Sequence, residues 1–265
     1  MEPEVLTLPN GIRLVHRHIP NVVAHFGVFI SAGTRNEKEH EHGMAHFIEH
    51  TIFKGTEKRS VYHILNRLEN VGADLNAYTS KEETCFYATF LNEYYDRTLE
   101  LFQDILFHSV FPMKELEKEK QVVMDEIRSY QDTPAEQIFD DFEDLVFDGH
   151  PLGKNILGTA KTVKTFKREH ILYFIRNNYQ MNEMVLVSVG NIRFEKLERL
   201  VMKYFSVSPE QGRKQEQAAF RHYIPKQKIG INVFRMQNNV EKFHSTRNML
   251  KEYELVEHFY KFYNK

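Results

Sequence analysis

The segment Gly43-Met44-Ala45-His46-Phe47-Ile48-Glu49-His50-Thr51-Ile52-Phe53 constrains the fold more than any other part of the chain. Read as a helix, it is apolar almost all the way round, and such a helix is normally buried. Positions i, i+3 and i+4 share one helix face, so His46, Glu49 and His50 form a single polar stripe. Buried polar groups without partners are costly, so any fold that buries this helix must satisfy the stripe. Three readings fit the stripe by itself. It can be a chance match in a chain with 14 histidines. It can be a satisfied pair of core histidines. Or two imidazoles one turn apart can share a tetrahedral zinc, with the Glu49 carboxylate beside them to take a proton from water.

A third ligand has to decide between these readings. Residues 112–131 predict a second helix, opened by Pro112 and filled mostly with good helix formers. Its apolar stripe is Leu116, Val123 and Ile127, spaced 7 and 4. Glu119 and Glu126 are also 7 apart and lie close to that stripe. A glutamate there either reaches water from the stripe's edge or is paired or metal-bound. Next to a helix with two histidines on a buried face, Glu126 is the candidate third ligand. Glu119 is then a supporting carboxylate that orients a histidine or tunes the water.

The order His46-x-x-Glu49-His50 inverts the usual zinc-protease signature. Together with Glu126 about 76 residues later, it resembles the M16 (pitrilysin-type) metallopeptidases, over roughly residues 5–225. Further markers occur in order along the chain. They are Leu8-Pro9-Asn10-Gly11, Gly33-Thr34-Arg35-Asn36-Glu37, Phe53-Lys54-Gly55-Thr56, Gly72-Ala73-Asp74-Leu75-Asn76-Ala77-Tyr78-Thr79, and His150-Pro151-Leu152-Gly153 with Gly158. The resemblance implies that His46, His50 and Glu126 hold Zn2+. It implies that Glu49 is the general base and Glu119 the second, supporting glutamate. Asn76 and Ala77 would lie on the edge strand that pairs with an extended peptide substrate. His42, spaced 4 from His46, is not part of the family pattern and reads as a solvated helix-end residue.

The expected fold is α+β, a largely antiparallel sheet with helices on one face, the half-clamshell domain of these enzymes. Strands are predicted at 5–8, 12–18, 23–31, 75–79, 84–91 and 184–190. Helices are predicted near 43–53, 60–71, 93–108, 113–131, 134–147, 166–178 and 194–205. Residues 1–225 form the catalytic domain in this reading. Residues 226–265 form an atypical tail, a strand at 228–235 and then a helix, with no second clamshell domain. The family resemblance then implies that a homo- or hetero-oligomer supplies the other half. An alternative within the same fold is a non-catalytic or partner-dependent subunit. Retention of His46, Glu49, His50 and Glu126 favours the catalytic half.

Composition narrows the remaining classes. With 42% hydrophobic and 27% charged residues, the chain is an ordinary globular sequence. Its net charge is −2, with no basic run suited to nucleic acid. Apolar stretches fall far short of the ~20 residues that span a bilayer. The start of the chain lacks the basic and apolar regions of a secretory signal. A cytoplasmic setting is expected, with the periplasm left open. The single Cys85 cannot form an internal disulfide and reads as a buried, inert thiol.

Overall fold

A computed structural model describes residues 3–206 apart from residue 148. The strand and helix expected at 228–235 and 239–265 lie outside the described residues. Six strands form one sheet: β1 (Glu4–Thr7), β2 (Arg13–His18), β3 (Val23–Ile30), β4 (Asp74–Thr79), β5 (Thr84–Leu91) and β6 (Met184–Gly190). Their order is β1-β2-β6-β3-β5-β4. Only the β2–β6 pair is parallel, with Leu14 opposite Leu186; the other pairs are antiparallel. The expected α+β sheet is therefore present. The late strand β6 inserts between two early ones.

Alternation along each strand separates two faces. Leu14, Phe26, Val28, Ile30, Phe86, Phe90 and Leu186 are buried on one of them. Val15, Phe29, Val185, Val187 and Val189 are only partly covered on the other, and Tyr87 is exposed. Helices cover the first face. Phe26 meets Phe102 of α3 (Tyr95–His108) edge-on, with ring centroids 5.3 Å apart. It also approaches Phe205 of α8 (Phe194–Phe205). The aromatic contacts thus bind sheet and helices into one core.

The remaining helices are α1 (Met44–Thr51), α2 (Val61–Glu69), α4 (Met113–Gln131), α5 (Pro134–Phe147), α6 (Ala160–Thr165) and α7 (Arg168–Asn178). Helix α1 is buried as its composition requires: Met44, Ala45, Phe47 and Ile48 are at most 1% exposed. Helix α6 was not anticipated. Its β-branched residues argue against a helix, and a reciprocal Thr159/Thr162 capping box supplies the missing support. Ser60 precedes α2, and its hydroxyl pairs with Nδ1 of His63. Among the described residues no helix is long and apolar enough to cross a membrane.

Leu186 lies in the middle of the sheet and is fully buried. Leu186→Ala should destabilise the protein by about 2–5 kcal/mol, the range for truncating a buried leucine. Val187→Ala, on the half-covered face, should cost less. Urea unfolding followed by far-UV circular dichroism compares the two, and equal losses would contradict the assignment of the buried face.

Candidate metal centre

Helices α1 and α4 bring three candidate ligands together. Nε2 of His50 lies 3.4 Å from Oε2 of Glu126, and Nε2 of His46 lies 3.7 Å from the same oxygen. One ligand atom from each of His46, His50 and Glu126 falls within 4.8 Å of the other two. Two nitrogen or oxygen ligands held ~2.1 Å from a tetrahedral ion are themselves about 3.4 Å apart. Both histidine–Glu126 separations lie near that spacing, so the three residues suit such an ion. Among the described residues no other trio of histidine, cysteine or acidic side chains is so disposed.

His50 is oriented from its far side. Its Nδ1 faces Oε2 of Glu119 at 3.4 Å, which leaves Nε2 free to donate a lone pair. Oε1 of Glu119 in turn lies 2.8 Å from Nζ of Lys54. Glu119 is buried, whereas Glu126 reaches the site from an exposed position on α4. The stripe-edge position considered for both glutamates describes Glu126 and not Glu119.

The charges of the site are unevenly tuned. Burial pushes His46 down to about 4, helped by the neighbouring His50 and opposed by Glu126. Burial also acts to lower His50, but its bonds and charge interactions with Glu126 and Glu119 outweigh it and hold the ring above its ordinary value. The His50 contact holds Glu126 below the usual carboxylate range. Burial raises Glu49, with Thr79 of β4 pulling the other way. Burial likewise pushes Cys85 up to about 12, in keeping with an inert thiol.

Asn76 and Ala77 lie on β4, which pairs with β5 on one side and closes that end of the sheet. Asn76 is exposed, and its Oδ1 accepts the Ala77 N–H at 2.8 Å. His42 is separate from the metal trio. Its Nε2 bonds to the Asn155 carbonyl at 2.7 Å, and its ring borders a cleft of about 300 Å³ with Tyr130, Asp140 and Lys154. Two residues with evident roles entered the sequence reading only as parts of family markers, with no role assigned. Lys54 lies four residues after His50, just past the end of α1. Glu37 lies in a loop and is buried beneath the start of α1, where burial pushes its carboxyl up to about 8. No periodicity in the sequence marks it.

Residues 13–160 match the family model described as Insulinase (Peptidase family M16), which is more than half of the chain. The chain belongs to peptidase family M16. A second model, Peptidase M16 inactive domain, matches residues 165–246 and so runs across the boundary drawn near residue 225. Over 204 residues the chain is 38% identical to the mitochondrial-processing peptidase subunit beta of Saccharomyces cerevisiae, covering 77% of this chain and 44% of that one. Over 229 residues it is 36% identical to an uncharacterized zinc protease of Rickettsia felis, covering 86% of this chain and 54% of the relative. A protease from Helicobacter pylori shares the fold at a TM-score of 0.74 and 25% identity, covering 84% of this chain and 53% of that one. The chain thus spans about half the length of the curated relatives it matches. Membership of M16 implies a divalent metal, usually zinc, and the donor set of two imidazoles and a carboxylate suits it.

Metal ligands must be deprotonated, so protons compete with the ion. His46, lowered to about 4, is already neutral in mild acid. His50, raised above its ordinary value, carries the competing proton. Zn2+ affinity should therefore fall about tenfold per pH unit below the His50 pKa and level off above it. Calorimetric titrations between pH 5 and 8, in buffers of different ionisation enthalpy, should register one proton released per Zn2+ in mild acid. Release of two protons there would contradict the assignment.

Proposed function

We propose that this chain is the catalytic half of a two-half zinc metalloendopeptidase that hydrolyses peptide bonds in oligopeptides or extended protein segments. The observation that carries this reading is the meeting of His46, His50 and Glu126 with Glu49 on the same short helix, beside an open sheet edge. His46, His50 and Glu126 would hold the zinc. When bound, zinc would polarise the scissile carbonyl and make the attacking water more acidic.

Glu49 is the general base. Its raised pKa brings a carboxylate closer to the working pH, where it can accept the water proton and later return it to the leaving amine. Glu119 positions His50, with Lys54 holding the opposite oxygen. The substrate backbone adds to β4 as a further strand, with Asn76 and Ala77 at its contact edge. Ala77 has its N–H engaged by its neighbour, so substrate has to displace or bypass the Asn76 amide there. Strand addition makes modest demands on substrate sequence, because main-chain bonds supply the grip.

The second half of the clamshell would come from a homo- or hetero-oligomeric partner. A relative named as a peptidase subunit and a solved first half of the periplasmic protease PqqL support an assembly of two halves. Its alternative is a partner-dependent subunit without activity of its own. The complete set of His46, Glu49, His50 and Glu126 favours the catalytic role.

Glu49→Gln should lower peptide turnover by about 10²–10⁴-fold, the usual contribution of a positioned acid–base group. It should leave Zn2+ affinity within a few-fold of the wild type. Glu126→Ala should lose both. Mass spectrometry of a peptide digest reads turnover, with and without a chelator and readdition of Zn2+. Retained peptidase activity in Glu49→Gln would sink the role given to that residue.

A further inference from the structure

Two of the three candidate ligands lie on α1, which has only eight residues. Such a helix is about 12 Å long and is too short to be held by its own hydrogen bonds. Its direction must come from outside. His50 has an external guide in Glu119. Among the described residues His46 has none of that kind: its Nδ1 is buried and without a hydrogen-bond partner there. The direction of the His46 ring is therefore inherited from the α1 backbone and the apolar packing around it.

That backbone is gripped at its first turn. Glu37 is 5% exposed and both of its oxygens are used. Oε2 accepts the Gly43 N–H at 2.9 Å, and Oε1 accepts the Ala45 N–H at 2.8 Å. These N–H groups belong to the set that every helix start leaves without an internal partner. Ala45 immediately precedes His46. The opposite side of the same turn is closed by a glycine contact. Gly43 has φ +93°, Gly158 has φ +74°, and a Cβ on Gly158 would lie 2.4 Å from the His42 carbonyl oxygen. The Thr162 hydroxyl donates to that same carbonyl at 2.7 Å.

A side chain with two acceptor oxygens is what this geometry requires. A glutamine of identical shape would accept one N–H and turn its own NH2 toward the other. A serine or aspartate cap at the helix start would satisfy one donor with far less burial. Burying a carboxyl group is costly, and here the group sits directly behind the first metal ligand.

Building on the zinc-site reading above, we propose that Glu37 is a positioning residue whose buried carboxyl clamps the first turn of α1 and thereby sets His46 for metal binding. Glu37 touches neither metal nor substrate; it acts through the helix.

The test compares wild type, Glu37→Gln and Val201→Ala, the last a buried truncation on α8 chosen for a similar loss of melting temperature. Zn2+ affinity is measured at pH 8 by competition with a chromophoric chelator, and site geometry by the absorption spectrum of Co2+ bound in place of zinc. Glu37→Gln should weaken Zn2+ by about tenfold or more, the loss typical for groups that orient metal ligands, and should alter the Co2+ spectrum. Val201→Ala should do neither. Wild-type values in Glu37→Gln, or equal losses in both variants, would overturn the proposal while leaving the zinc site standing. Failure of the wild type itself to bind Zn2+ would overturn the metal reading and this inference with it. Amide exchange in the wild type needs no variant to fold. By reciprocity of coupling, Zn2+ should slow exchange at Gly43 and Ala45 more than in β1, and an equal effect at both would refute the clamp.

Discussion

The contact between the short helix α1 and the long helix α4 is the one on which the rest of the site depends. Three ligand atoms from two helices have to meet within a few ångströms, and a tetrahedral ion tolerates little error. Nothing in either helix alone enforces that meeting. Apolar packing of Met44, Ala45, Phe47 and Ile48 buries α1, while Leu116, Val123 and Ile127 bury the matching stripe of α4. Glu119, buried beside that stripe, and Glu126, at its exposed edge, arrive opposite His50 together. The trio of candidate ligands is a by-product of burying two apolar surfaces in one register.

The sheet supplies the second constraint. Inserting β6 between β2 and β3 ties the end of the described chain to its beginning and places β4 at an edge. An edge strand has unpaired backbone groups, which is a liability in most proteins and a recognition surface in some. Here it runs past α1, with Thr79 close enough to Glu49 to influence its charge. Glu49 and the edge strand are neighbours because the sheet ends where the short helix begins to pack.

Much of this was legible from residue order alone. The strands at 84–91 and 184–190 and the helices ending at residues 108 and 131 fall where alternation, turn residues and helical spacing put them. Local rules sufficed because each segment's pattern agrees with its tertiary environment. The short helix α6 escaped because its threonines and valine argue against a helix, and a capping box overrides them. Glu119 and Glu126 could be placed near one stripe, but periodicity could not tell which would be buried. A rotation of a fraction of a turn separates the two outcomes.

The amino-acid order by itself determined the polar stripe of α1, the spacing to Glu126 and the alternation of a one-sided sheet. These follow from periods of 3.6 and 2, which any chain of this pattern must obey. Only the tertiary structure decided what supports the ligands. Lys54 behind Glu119, Glu37 beneath Gly43 and Ala45, and Gly158 pressed against Gly43 join residues up to 115 positions apart. Such contacts have no periodic signature, because nothing in a loop glutamate's spacing says that a helix start will be lowered onto it.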